Sequence, residues 1–253
     1  MQFGMPTLVE CKDAAECTQL AKRLSLSFVE LNQSFPQYQS ARIDADALKK
    51  SGISFTFHAD ETADPFNFND DIAAAYCDYF EKTAALAKEL GARVINMHLM
   101  RGVYVTLPEK RIFLNEVYND EFMRRVRAFG KRMESILAGS GTYICIENTD
   151  GFLPYELDAI EALLENEHFG ITLDIGHNAC INYADDEFVN RFEDRLMHMH
   201  LHDAAGKNPH LAFGDGNIDL EKYISLGKKH GVTAVIEVKT VSGLEKSVNY
   251  IYK

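Results

Sequence analysis

The residues able to do chemistry in this chain collect at the ends of short apolar runs. His58 closes Phe55-Thr56-Phe57-His58, His98 closes Val94-Ile95-Asn96-Met97-His98, Glu147 closes Tyr143-Ile144-Cys145-Ile146-Glu147, and Asp174 closes Ile171-Thr172-Leu173-Asp174. His200 and Glu237 stand near the ends of two more such runs. A carboxylate where a strand leaves the core is costly unless a cation or hydrogen bonds meet it there. Imidazole and carboxylate groups together suit zinc, manganese, iron or cobalt better than calcium, so a metal site is the first expectation. The chain has nine histidines, and all but His168 and His230 lie in or just after the last residues of predicted strands. Those two fall at predicted helix ends and read as solvated. His210 follows in a loop, and His177 lies three residues past Asp174.

The elements that must position these groups alternate in type. Apolar runs predict strands at 3–5, 28–32, 53–58, 93–98, 143–147, 171–174, 196–203 and 233–238. Between them, helical spacing predicts helices at 13–24, 46–50, 69–90, 119–137, after Pro154, and at 185–192, 219–230 and 244–252. In the helix at 69–90 the apolar stripe runs Ile72, Tyr76, Tyr79, Thr83, Leu86, Leu90. Glycines 52, 91, 170 and 231 punctuate the returns into strands. The segments holding Arg101 and Pro108, and Gly206 to Gly216, read as loops. Eight such repeats predict an α/β fold, a single (β/α)8 TIM barrel over residues 1–253. A doubly wound open sheet is the runner-up, with no Gly-x-Gly-x-x-Gly turn after the first strand to support it.

In such a barrel the C-terminal strand ends meet on one rim, which makes His58, His98, Glu147, Asp174, His200 and Glu237 neighbours. Strict alternation places His198, His200 and His202 on one face, with His198 a layer deeper and His202 at the lip, in reach of a substrate. Glu30 and Asn32 complete a polar rim. Arg101 and Lys239 are candidates for an anionic group of a substrate, though each reads equally as a surface charge.

Composition narrows the partners. A formal charge of -12, from 38 acidic and 26 basic residues, favours solubility and disfavours nucleic acid and anionic membranes. The basic run Arg124, Arg125, Arg127, Lys131, Arg132 sits on a predicted outer helix and reads as a solvated face. Five cysteines with no Cys-x-x-Cys pair fit reduced thiols. With no apolar stretch long enough to span a bilayer, the expectation is a soluble cytoplasmic protein; self-association into a homo-oligomer stays open.

The phrases Ile146-Glu147-Asn148-Thr149-Asp150-Gly151, Leu173-Asp174-Ile175-Gly176-His177, Met199-His200-Leu201-His202-Asp203, His210 to Asp219 and Ile236-Glu237 together resemble the xylose-isomerase-like TIM-barrel superfamily, which includes sugar isomerases and epimerases, some dehydratases and endonuclease IV. The resemblance to its epimerase branch implies one metal, often manganese, held by Glu147, Asp174, His200 and Glu237. It also implies that the two glutamates exchange protons beside a ketone while His177 binds the substrate's carbonyl end or hydroxyl; Asn148, next to Glu147 on the rim, is a further candidate for substrate contact. That branch carries a further Glu where this chain has Leu153, and an Arg where it has Gly206. The endonuclease IV branch implies up to three zinc ions with His58, His98, His177 and His210 as added ligands; one of its Asp ligands is replaced here by Asn208.

These readings converge on a metal-dependent isomerase or epimerase for a small sugar, sugar phosphate or cyclitol, using one to three zinc or manganese ions. The alternatives are an endonuclease IV-like multi-zinc phosphodiesterase and a non-catalytic metal-retaining binding barrel.

Overall fold

In the computed structural model, which describes residues 1–252, parallel strands and helices alternate around a closed barrel. Lys253, the last residue of the expected domain, lies outside the described residues. The barrel strands are β1 (Gln2–Pro6), β2 (Phe28–Asn32), β3 (Ser54–His58), β4 (Val94–His98), β5 (Tyr143–Glu147), β6 (Phe169–Asp174), β7 (Leu196–Leu201) and β8 (Thr233–Ile236). Each pairs with its sequence neighbours, and β8 returns to pair with β1. This is the expected (β/α)8 barrel, and its closure excludes the open sheet.

The helices are α1 (Ala14–Arg23), α2 (Ala45–Lys50), α3 (Asp70–Leu90), α4 (Asn119–Leu137), α5 (Pro154–Leu164), α6 (Ile175–Cys180), α7 (Asp186–Phe192), α8 (Leu220–His230) and α9 (Val241–Ile251). Local chemistry explains their ends. Asn69 caps α3 by accepting from the backbone N–H groups of Asp71 and Ile72, and Gly91 terminates it in the left-handed region at φ 65°. None of the described helices is long and apolar enough to cross a membrane.

Two layers of core follow. Met97, Leu173, Met199 and Leu201 are buried within the hydrophobic core shared by strands and helices, while polar groups fill much of the barrel's centre. Phe28 reaches that centre only because residue 4 is glycine: a Cβ there would sit 2.4 Å from the Phe28 ring. Strand register then sets the level of the rim. Asn32 pairs with His58, His98 with Glu147, and Asp174 with His200, so groups far apart in sequence arrive at similar heights.

Several expectations change. The stripe on α3 is rotated, with Ala73, Phe80, Thr83, Ala84, Leu86 and Ala87 buried while Ile72 is 44% exposed; alanines allow the closer approach to the barrel that a row of larger residues would block. The segment after β4 folds into an antiparallel hairpin, Tyr104–Thr106 against Arg111–Phe113, and that after β7 into another, Asp203–Ala205 against Asn208–Leu211. Gly170 lies inside β6, pressed against Met197 and the Arg195 carbonyl, instead of preceding the strand. His168 is buried, with Nδ1 3.3 Å from the Thr142 carbonyl, and is not solvated. The arginines of α4 tie it to α3: Arg125 reaches Asp70 at 2.7 Å and Arg132 reaches Asp78 at 2.7 Å.

Candidate metal centre

Four strands bring Glu147, Asp174, His200 and Glu237 to one point, where a donor atom of each lies within 4.8 Å of the others. All four are buried. Glu147 and Asp174 are the last residues of β5 and β6, His200 is next to last in β7, and Glu237 follows β8 directly. Asp174 does double duty, since its Oδ1 accepts from the His177 N–H at 2.7 Å and so caps α6.

One imidazole nitrogen faces all three carboxylates. His200 Nδ1 lies 3.1 Å from Glu147 Oε1, 3.3 Å from Glu237 Oε2 and 3.8 Å from Asp174 Oδ2. Burial opposes a charge on this ring, yet Glu147, Glu237 and Glu30 raise it well above the ordinary histidine range. Burial likewise pushes Glu147 and Glu237 up, and the His200 charge more than reverses this, leaving both well below the usual carboxylate range. So concentrated a negative field inside a protein is stable only beside a cation. Glu237 Oε2 and His177 Nδ1 are also buried without a well-aligned hydrogen-bond partner among the described residues. Carboxylate oxygens and an imidazole nitrogen around orphaned donors fit a divalent ion such as manganese or zinc.

Other side chains orient these four. Asn96 Nδ2 donates to Glu147 Oε2, and the Nε2 atoms of His58 and His98 lie 3.3 Å and 3.2 Å from that oxygen. His58 is fixed from behind, its Nδ1 donating to the Ala59 carbonyl at 2.8 Å. Asn148 grips the Asp174 backbone on both sides, donating to its carbonyl at 2.9 Å and accepting from its N–H at 2.8 Å. Its amide is therefore committed to the scaffold, a different place from the substrate contact expected. His202 is also displaced from expectation. β7 stops at Leu201, and His202 turns in, fully buried, with Nε2 3.0 Å from Asp174 Oδ1. Only glycine at 176 permits this, because a Cβ there would overlap the His202 ring at 1.8 Å.

The mouth of the site carries His177 and His210. His177 Nδ1 lies 3.3 Å from Asp174 Oδ2, and the ring stands 5.2 Å from that of His210. His210 occupies the left-handed region at φ 59°, unusual for a residue with a side chain. Its N–H donates to His202 Nδ1 at 2.8 Å, and its own Nδ1 lies 3.2 Å from the Glu237 carbonyl. Burial pushes His210 down to about 4, so its ring is neutral near pH 7. Three further groups have metal-ligand spacing: Glu30, His198 and His200; His58, Glu147 and His200; and His177, His202 and His210.

The two expected cations have prior engagements. Lys239 Nζ donates to Glu237 Oε1 at 2.7 Å while staying half exposed at the rim. Arg101 is drawn aside by Glu156 at 3.2 Å, Asp150 at 2.8 Å and the Gly151 carbonyl. Glu156 is itself buried and also accepts from the Leu153 N–H at 2.7 Å. Burial outweighs Arg101 and lifts its carboxyl to about 7.

The sequence assigns Asn96 and Glu156 no role, and it places Glu30 on the polar rim, whereas Glu30 is buried beside His198 and His200. For Glu30 and Asn96 a signal existed, since each is a polar residue inside a predicted buried strand. For Glu156 none did, because an acidic residue in the first turn of a helix is ordinary.

Comparison with known proteins gives a consistent picture. The sequence pattern of the xylose isomerase-like TIM barrels matches residues 18–252. An uncharacterized protein of Methanocaldococcus jannaschii, MJ1311, is 34% identical over 94 residues, a match spanning 35% of this chain and 31% of that one. Among solved structures, a D-tagatose 3-epimerase-like protein superposes with a TM-score of 0.79 at 22% identity, covering 100% of this chain and 96% of that one. The IolI protein, solved with a zinc atom, superposes at 0.73 with 14% identity, covering 100% and 96%. Likenesses at this identity speak for the fold, and the sequence match over nearly the whole length says more: the chain belongs to the xylose isomerase-like TIM-barrel family.

Proposed function

We propose that this chain is a divalent-metal-dependent isomerase or epimerase acting on a small keto sugar or related polyol. The observation that carries the reading is the pairing of Glu147 and Glu237. They come from β5 and β8, flanking Asp174 on β6 and His200 on β7, so two buried carboxylates approach one point from the two sides of the β6–β7 pair. Glu147, Asp174, His200 and Glu237 would hold the ion. Bound there, a divalent ion supplies Lewis-acid polarisation of a substrate carbonyl.

The remaining work falls to the chain. One glutamate takes the proton from the carbon beside the carbonyl, and the other returns a proton to that carbon or to its neighbour. His177 and the neutral ring of His210, at the mouth, are suited to hydrogen-bonding sugar hydroxyls. His200 first, and Lys239 beside Glu237, hold that carboxylate in its ionised, basic form against the effect of burial. The likeness to a D-tagatose 3-epimerase-like protein supports this reading, as does a zinc atom in IolI.

Incubating the manganese- or zinc-loaded protein with candidate ketoses in deuterated water tests it. Deuterium should appear on the carbon beside the carbonyl, and about 10²- to 10⁴-fold more slowly with a Glu237→Gln variant. A metal-loaded protein that exchanges no carbon-bound hydrogen across a panel of ketoses and cyclitol ketones would count against it. A second reading, an endonuclease IV-like multi-zinc phosphodiesterase, is supported by the extra groups around His58 and around His177 and His210. Two or three tightly held zinc ions, with cleavage of abasic-site DNA and no such exchange, would select it. A metal-loaded protein inert in both assays would favour a binding barrel.

A further inference from the structure

We infer that Glu30, from the far side of the barrel, is a positioning residue that holds the His200 ring so that Nδ1, and not Nε2, faces the three carboxylates. The inference rests on the metal reading of the site, and not on the reaction performed there. Glu30 lies in the middle of β2 with both oxygens buried beneath the centre. Its Oε1 is 3.2 Å from His200 Nε2, at an angle off the ideal for a hydrogen bond. Its Oε2 is 3.1 Å from His198 Nε2 and accepts from Thr56 Oγ1 at 3.2 Å. His198 is anchored in turn, its Nδ1 2.6 Å from Thr233 Oγ1.

Thr233, His198, Glu30 and His200 thus form a row of polar contacts that ends at His200 Nε2, the nitrogen turned away from the three carboxylates. An imidazole has one proton to place when neutral, and a carboxylate beside Nε2 directs it there, leaving the Nδ1 lone pair toward the ion. The chain's geometry explains why a carboxylate belongs at this depth. Glu30 Oε2 is held by Thr56 and His198, which leaves Oε1 as the oxygen turned to His200. A neutral amide in its place offers one carbonyl oxygen to two imidazole N–H groups, so one of them loses its acceptor.

Cobalt(II) binding, followed by calorimetry and visible absorption, tests the assignment. Glu30→Gln should bind cobalt about 10- to 100-fold more weakly than the wild-type protein, the range typical for loss of such an outer partner, with a changed cobalt absorption envelope. An affinity within about twofold and an unchanged spectrum would overturn the inference. Should the variant not fold, nitrogen-15 histidine spectra of the zinc-loaded wild-type protein decide instead. They should show a protonated, slowly exchanging Nε2 on His200; a metal-bound Nε2 would overturn the inference. Wild-type protein that takes up no cobalt or zinc would overturn both this inference and the metal reading, whereas failure of deuterium exchange alone would touch only the proposed reaction.

Discussion

Glu156 makes a prediction whose sign separates two forces. It is a buried carboxyl with an arginine beside it, and burial wins, raising it from 4.5 to about 7. A carboxyl raised on folding holds its proton more tightly in the folded chain than in the unfolded one. Its contribution to stability is present in full below pH 4.5 and is lost as pH rises through about 7. The span of roughly 2.5 units corresponds to about 3 kcal/mol at 1.36 kcal/mol per unit. Replacement by glutamine keeps the shape and removes the titration. Urea unfolding of both proteins from pH 4 to pH 8 gives the comparison. Relative to Glu156→Gln, the wild-type protein should lose about 3 kcal/mol of stability between the two ends. A pH-independent difference would mean that the Arg101 ion pair cancels the effect of burial, and a wild-type advantage that grows toward pH 8 would mean that it outweighs burial; either overturns the prediction.

Other perturbations probe the centre and its supports. Gly176→Ala places a methyl group where the His202 ring lies, so it should cost about 1–3 kcal/mol and weaken metal uptake together, checked by thermal unfolding and calorimetry. Asp203 is buried and accepts from the N–H groups of Ala204, Gly214, Gly216 and Ile218 at 2.9 to 3.0 Å. Asp203→Asn should therefore cost about 2–3 kcal/mol and open the segment at 206–216 to proteolysis, while leaving the barrel's circular dichroism unchanged. Glu147→Gln and Glu237→Gln should each keep the fold and lower the rate of carbon-bound deuterium exchange by about 10²- to 10⁴-fold, with the rate measured at saturating metal.

How far the chain could be read in advance depended on what kind of interaction placed each residue. The barrel was legible because apolar runs and helical stripes recur with capping residues between them, and those are local properties. Glu147, Asp174 and His200 were legible as neighbours for the same reason: strand ends in a parallel barrel share one rim, whatever the tertiary detail. Their partners were not. His202 looks like the next member of the strand's alternation, and it is drawn inward because β7 ends at Leu201 and Gly176 leaves room for its ring. Asn148 looks free to bind a ligand, and both ends of its amide are taken by the Asp174 backbone. Glu30 is visible as a carboxylate inside an apolar run, but its role depends on His198 and His200 across the barrel, a pairing no local pattern records. Arg101 reads as a rim cation, and its fate depended on Glu156 being buried by the fold.

The proposed function stands on Glu147, Asp174, Glu237 and His200 holding a divalent ion. The most direct measurement is the metal content of protein purified after expression with manganese and zinc supplied, compared with an Asp174→Asn variant. The wild-type chain should carry at least one divalent ion through dialysis, and the variant should lose it. A wild-type chain that retains no metal, and takes up none on titration, would rule out a metal centre at these four residues.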